Sequence, residues 1–208
     1  MSTSAGLIRA FIAIDIPQGA RQTLAETVRE LADQVPGNVG WVAAQGIHLT
    51  LKFLGDIPSQ DVGTIIAALR SPVHQISTFP LQLSGLGMFP NERRPRVLWA
   101  GVEGQQDSLV SLQQCVEDVL VQMDYATERQ TFSPHLTLGR VRDRISPGAR
   151  RRIIQAMLSA SPASKVVSEP WMVEQVHLFR TTFTPKGSVH TSMGSVPLAT
   201  DGPRPEGK

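Results

Sequence analysis

Ile47-His48-Leu49-Thr50-Leu51-Lys52-Phe53-Leu54-Gly55 is the stretch from which the rest of the chain can be read. Its core, His48-Leu49-Thr50-Leu51, returns letter for letter as His135-Leu136-Thr137-Leu138, so each half of the chain carries one copy. Both copies alternate polar and apolar residues, contain β-formers and are followed by turn residues, which predicts a strand for each. Residues i and i+2 of a strand share a face. His48 and Thr50 therefore point one way, and His135 and Thr137 do the same, while the leucines point into a core. If the two polar faces meet across a cleft, that cleft holds two imidazoles and two hydroxyls and no obvious metal ligands.

At 208 residues the chain is one large domain or two small lobes. Hydrophobic residues at 41% and charged residues at 18% suit a soluble globular protein with a sizeable core. A net charge of +2 is compatible with an anionic ligand but too weak to demand nucleic acid. Cys115 is the only cysteine, which excludes an intramolecular disulfide and points to a reducing, cytoplasmic setting. A small buried helix residue is the better reading of it than a catalytic thiol. No apolar run approaches a membrane span, and the N-terminus has no signal-peptide pattern, so no membrane partner is expected.

Outward from the motifs, Ala10 to Ile14 reads as a buried strand and Gln18 to Gln34 as a helix with Leu24, Val28, Leu31 and Val35 on one stripe. Val39 to Val42 is a short strand before the first motif. Ser59 is the expected N-cap of a helix running to about Leu69. Strands follow over Phe79 to Leu86 and Arg96 to Val102, with Gly87 to Pro95 between them as a loop. Asp107 to Met123 is the clearest helix. After the second motif strand, Pro134 to Val141, a helix spans Pro147 to Ser159. The last strands are Trp171 to Arg180 and Val189 to Val196, joined around Pro185-Lys186-Gly187. The chain is thus α+β, with 1–198 as a single bilobal domain and 199–208 as a polar, disordered tail.

The two His-x-Thr-x motifs, in a chain of this length, resemble the 2H phosphoesterase superfamily, and the wider match is to the bacterial RNA 2′,3′-cyclic phosphodiesterases, also called 2′-5′ RNA ligases. The similarity is carried by Arg9 to Asp15, His48 to Gly55, Pro95 to Gly101 and Phe132 to Arg140. It implies two similar lobes, each an antiparallel sheet with helices, around a V-shaped cleft to which each lobe gives one motif strand. It also implies that His48 donates a proton to the leaving 3′ oxygen, that His135 activates water, and that Arg140 contacts the phosphate. The chain departs from the family pattern at His190, where a tyrosine is expected, and at Gly40, where a basic residue often precedes Trp41.

The chemistry fits the residues. Hydrolysis of a cyclic phosphodiester needs one group to deprotonate water and another to protonate the departing sugar oxygen. Imidazole serves both roles near neutral pH, which predicts a bell-shaped rate profile around neutrality. The hydroxyls of Thr50 and Thr137 can donate to the phosphoryl oxygens, and an arginine adds bidentate donors. Strict alternation sets Arg140 on the face of Leu136 and Leu138, away from His135, unless a bulge at Gly139 turns it. Lys52 shares the face of His48 in a regular strand, as a rim residue or a phosphate contact. His74, His177 and His190 carry no motif and read as surface or core residues. Trp41, Trp99 and Phe11 read as core more readily than as base-stacking platforms. Arg93, Arg94 and Arg96 and the run from Arg140 to Arg152 are either a basic approach to the cleft or solvated charges.

The expectation is a monomeric, cofactor-free and metal-independent phosphodiesterase acting on RNA with a 2′,3′-cyclic phosphate end and leaving a 2′-phosphomonoester. No carboxylate or cysteine stands at ligand spacing beside either motif. The rivals are 2′-5′ joining of RNA ends at the same site, an RNA- or nucleotide-binding module without catalysis, and a phosphodiesterase for a small cyclic nucleotide derivative.

Overall fold

The structure is a computed structural model and describes residues 6–160, 166–185 and 187–200. Strand β1 (Leu7–Ile14) is the first buried element, and its alternation already separates two faces. Ile8, Ala10, Ile12 and Ile14 enter the main core, while Phe11 and Ala13 pack with Phe179 on the opposite face. Helix α1 (Gln18–Gln34) starts behind the extended Pro17 and stops at Val35, where the following Pro36 cannot donate to a further turn. It buries Ala20, Leu24 and Leu31. There follow β2 (Val39–Trp41), a single 3₁₀ turn at Ala44–Gly46, β3 (Leu49–Pro58), α2 (Asp61–Val73), β4 (Phe79–Phe89), β5 (Val97–Gly104) and α3 (Gln106–Gln122). The chain closes with β6 (Leu136–Val141), α4 (Pro147–Ala160), β7 (Trp171–Val173), β8 (Gln175–Thr184) and β9 (Gly187–Pro197).

The strands form one sheet in the order β7-β4-β5-β6-β3-β1-β8-β9, with β2 paired to β6. Every pairing between named strands is antiparallel. The half β7-β4-β5-β6, with β2 beside β6, meets the half β3-β1-β8-β9 in the middle through a single residue pair, Leu49 with Leu136. Helix α2 packs on α3, β3 and β9, and α3 also reaches β3. Helix α1 packs on α4 and β2, and α4 on β4. Each half of the sheet is therefore covered by helices from both halves of the chain. Leu31 of α1 and Val35 just after it share a core with Ile153 and Met157 of α4, Val39, Met88 and Leu98.

Boundaries differ from the sequence reading in several places: the motif strands open at Leu49 and Leu136, so each histidine stands one residue ahead of its strand. The expected strand Trp171 to Arg180 breaks at Glu174: β7 pairs with β4 at one edge of the sheet, and β8 pairs with β1 in the other half. Gly87, Met88 and Phe89 belong to β4 and not to a loop. Gly87 marks a close approach, since a Cβ there would fall inside the Trp99 ring. Helix α2 runs on past Leu69 to Val73 in spite of Pro72, because fully buried Val73 anchors the last turn. Its N-cap is Gln60, and Ser59 lies one residue outside. The expected tail falls, from residue 201 onward, outside the described residues. Among the described residues no helix is long and apolar enough to cross a membrane.

Candidate active site

The Leu49–Leu136 pair joins the two copies of the repeated tetrapeptide. Both leucines are fully buried. Carrying that antiparallel register one residue each way sets Thr50 across from His135 and His48 across from Thr137, all four on the face opposite the leucines. The cavities agree. One, of about 510 Å³, is lined by His48, Thr50, Phe53, Thr137 and Arg140 among others. The next, of about 720 Å³, is lined by Thr50, Phe53, His135, Thr137 and Arg140. The two share Thr50, Phe53, Thr137 and Arg140, so they are the two ends of one groove with an imidazole at each end.

Past the threonines the strands depart from regular alternation, and they do so at equivalent places. Against β1, Thr50 pairs with Ala13 and Lys52 with Ile12, which leaves Leu51 as an extra residue. Against β5, Thr137 pairs with Trp99 and Gly139 with Leu98, which leaves Leu138 as the extra residue. A bulge inverts the facing of the residues beyond it. Arg140 is thereby turned onto the groove face, beside Thr137. The same inversion carries Lys52 off that face. Lys52 is not a rim residue: it is 3% exposed, and its ammonium donates to Glu117 Oε2 and to the Ala126 carbonyl, both at 2.8 Å. Glu117 Oε1 in turn accepts the Glu128 N–H at 2.8 Å. This buried pair fastens the segment that leads into His135 onto α3. By the same register Phe53 is the counterpart of Arg140, which accounts for its 63% exposure on the groove face.

Each imidazole is held by the carbonyl two residues before it. His135 Nδ1 lies 2.7 Å from the Ser133 carbonyl, and His48 is bonded to the Gly46 carbonyl. A carbonyl only accepts, so His135 Nδ1 carries the proton and its Nε2 lone pair is free for the groove. The surroundings differ. His48 stacks on Phe11 at 4.5 Å between centroids, faces Phe179 at 5.9 Å, and meets the ring of His190 edge-on at 4.9 Å. Burial first, then the neighbouring His190, holds its pKa down at about 4, against the opposing Gly46 bond; Arg21 adds to the lowering. His135 has Phe89 edge-on at 5.0 Å and Trp99 at 6.5 Å. Its pKa is also lowered, by burial first and by Arg140, again against the carbonyl bond.

Two groups beyond the motifs act on the His48 end of the groove. His190 of β9, read from sequence as surface or core, lines the His48 end, with Nδ1 3.1 Å from the Thr181 hydroxyl. The signal for it was the departure from the tyrosine of the family pattern. Arg21 of α1 donates to the carbonyls of Ala44 and Ile47, at 2.9 and 3.0 Å, and pairs with Asp15. It thus braces the turn that launches His48. His177 bonds the Ser192 hydroxyl and His74 caps α2. Phe11 is 2% exposed and backs His48, so it serves as support and not as a base platform. Among the described residues no group of three or more His, Cys, Asp or Glu is placed to hold a metal ion.

The model of LigT-like phosphoesterases matches residues 14–99 and 101–190. The RNA 2′,3′-cyclic phosphodiesterase of Methanothermobacter thermautotrophicus is 31% identical over 186 residues, spanning 89% of this chain and 96% of that one. The Thermotoga maritima protein of the same name is 30% identical over 183 residues, spanning 88% and 91%. Among solved structures, TT0787 of Thermus thermophilus superposes with a TM-score of 0.75 at 25% identity, covering 94% of this chain and 100% of that one. E. coli LigT with 3′-AMP gives 0.68 at 22% identity over 92% and 98%, a likeness of fold. With the family model spanning most of the chain and both motif strands inside it, this protein belongs to the LigT-like phosphoesterases of the 2H superfamily.

Proposed function

We propose that the groove hydrolyses the 2′,3′-cyclic phosphodiester at the end of an RNA strand and leaves a 2′-phosphomonoester. The observation that carries this reading is the crossed pairing of the motifs, which brings two imidazoles, two hydroxyls and Arg140 to one groove. His135, with Nδ1 fixed by Ser133, accepts a proton from water at Nε2. The water oxygen forms a bond to phosphorus as the bond from phosphorus to O3′ breaks, and His48 delivers a proton to O3′. Thr50, Thr137 and Arg140 donate to the equatorial phosphoryl oxygens. Free His48 is neutral at neutral pH, its pKa being about 4. A bound phosphodiester carries a negative charge, which favours the charged imidazole, so His48 takes its proton as substrate binds. The same reading takes the chain to act as a cytoplasmic monomer without cofactor.

The test is purified protein with a short RNA ending in a 2′,3′-cyclic phosphate, followed by phosphorus NMR of the product. A 2′-monophosphate is expected. A 3′-monophosphate would place the leaving group, and with it the donor role of His48, on the wrong oxygen. No turnover of any cyclic end would leave a binding module.

A further inference from the structure

Beyond the groove lies a second, basic pocket that the chemistry above does not use. It has a volume of about 240 Å³ and is lined by Arg94, Arg96, Arg142 and Arg150, with Pro95, Val141, Ile145 and a single carboxylate, Asp143. Among the described residues none of the four guanidiniums makes a salt bridge. With a net charge of only +2 on the whole chain, four unpaired cations in one concavity are a local concentration and not a general excess. The pocket is continuous with the groove. Arg96 lines both, and the Val141 N–H donates to the Arg96 carbonyl at 2.9 Å, which locks the start of β5 to the end of β6. From Thr137 to Arg142 is five residues of chain, or roughly 13 Å at ~3.3 Å per residue with the bulged Leu138 adding no length. That exceeds the reach of the phosphate held at His135 and falls where a phosphate a few nucleotides upstream would lie.

We propose that this arginine pocket binds upstream backbone phosphates of the RNA whose cyclic end sits between His48 and His135, so that the protein prefers an oligonucleotide to a mononucleotide. This deepens the proposed function and rests on it. A strand ending in a 2′,3′-cyclic phosphate can leave the site only through its 5′ oxygen, so there is one upstream chain to bind, and guanidinium groups are the donors suited to its phosphates.

The experiment compares a nucleoside 2′,3′-cyclic monophosphate with a hexanucleotide bearing the same end. The proteins are the wild type, Arg142→Ala/Arg150→Ala and, separately, Arg94→Ala. For the double variant kcat/KM on the hexanucleotide should fall roughly tenfold, while the mononucleotide stays within about twofold. The salt dependence of hexanucleotide binding should flatten by about 1.4 in the log–log slope, from ~0.7 per lost contact. Equal loss on both substrates, or no loss on either, overturns the proposal. Should the wild type turn over neither substrate, the proposed function fails, and fluorescence anisotropy with a labelled hexanucleotide still decides: binding unchanged in the variants overturns the arginine pocket, and weakened binding sustains it.

Discussion

Replacing Lys52 with methionine tests the buried pair under the groove. The side chains of Lys52 and Glu117 are 1% and 8% exposed, so the variant leaves a carboxylate in the interior with the Glu128 N–H as its remaining partner. Breaking a buried pair in this way costs about 3–5 kcal/mol. Urea unfolding followed by fluorescence of the three tryptophans measures this as a lowered midpoint. Lys52→Met/Glu117→Gln keeps the acceptor for Glu128 without the stranded charge, and should regain at least half of the loss. A Lys52→Met protein within ~1 kcal/mol of wild type at pH 7 would refute the argument.

His48→Ala and His135→Ala should each lower turnover by about 10²–10⁴-fold with circular dichroism unchanged, and near-normal activity in either would end the two-histidine mechanism. Activity should survive EDTA; loss restored by added Zn²⁺ or Mn²⁺ would contradict it. Because burial lowers both imidazoles in the free protein, the maximum of kcat/KM should lie on the acid side of neutrality and not at it, while the limbs of kcat move to higher pH as the bound anion favours the charged forms. Folded His48 stays neutral to about pH 4 whereas an unfolded histidine binds its proton near 6.5, so stability is complete above 6.5 and lost as pH falls toward 4. The His48 share is up to about 3 kcal/mol and should vanish from urea titrations of His48→Asn.

The two motif strands were legible because a strand's period of two is a local property: His48 with Thr50, and His135 with Thr137, need only their own neighbours to define a face. Helix α1 was legible to the residue because Pro17 and Pro36 bracket it. The bulges at Leu51 and Leu138 were not, since an extra residue exists only relative to a partner strand, and the partners β1 and β5 lie far off in sequence. Lys52 was misplaced for that reason, and Arg140 could be placed only by supposing a bulge beside the position where one occurs. The break at Glu174 was invisible too. Trp171 to Arg180 is continuous in β-propensity, and its division follows from β7 and β8 pairing in different halves of the sheet. His190 escaped because nothing near it in sequence carries chemistry; β9 brings it to His48 only through β8 and β1.

The duplicated tetrapeptide makes the two ends of the groove alike, yet acid–base work needs them unlike. The difference comes from what the two lobes pack behind identical residues. On the strand of His48 the third position after the threonine is Phe53, and the imidazole is enclosed by Phe11, Phe179 and His190. On the strand of His135 the equivalent position is Arg140, whose fixed charge opposes protonation of that imidazole and would also stay beside the phosphate throughout the reaction. An arginine cation next to His135 favours the neutral form in which an imidazole accepts a proton. An enclosed imidazole whose nearby charged groups are few responds most to the arrival of an anion, and that is the demand on a donor. On the proposed mechanism, equivalent backbones supply the two opposed positions on phosphorus, and one pair of residues past the bulge, Phe53 against Arg140, separates the roles. Exchanging that pair, Phe53→Arg with Arg140→Phe, should weaken the preference for His135 as the base, seen as a change in which single-histidine variant loses the acidic limb of the rate profile.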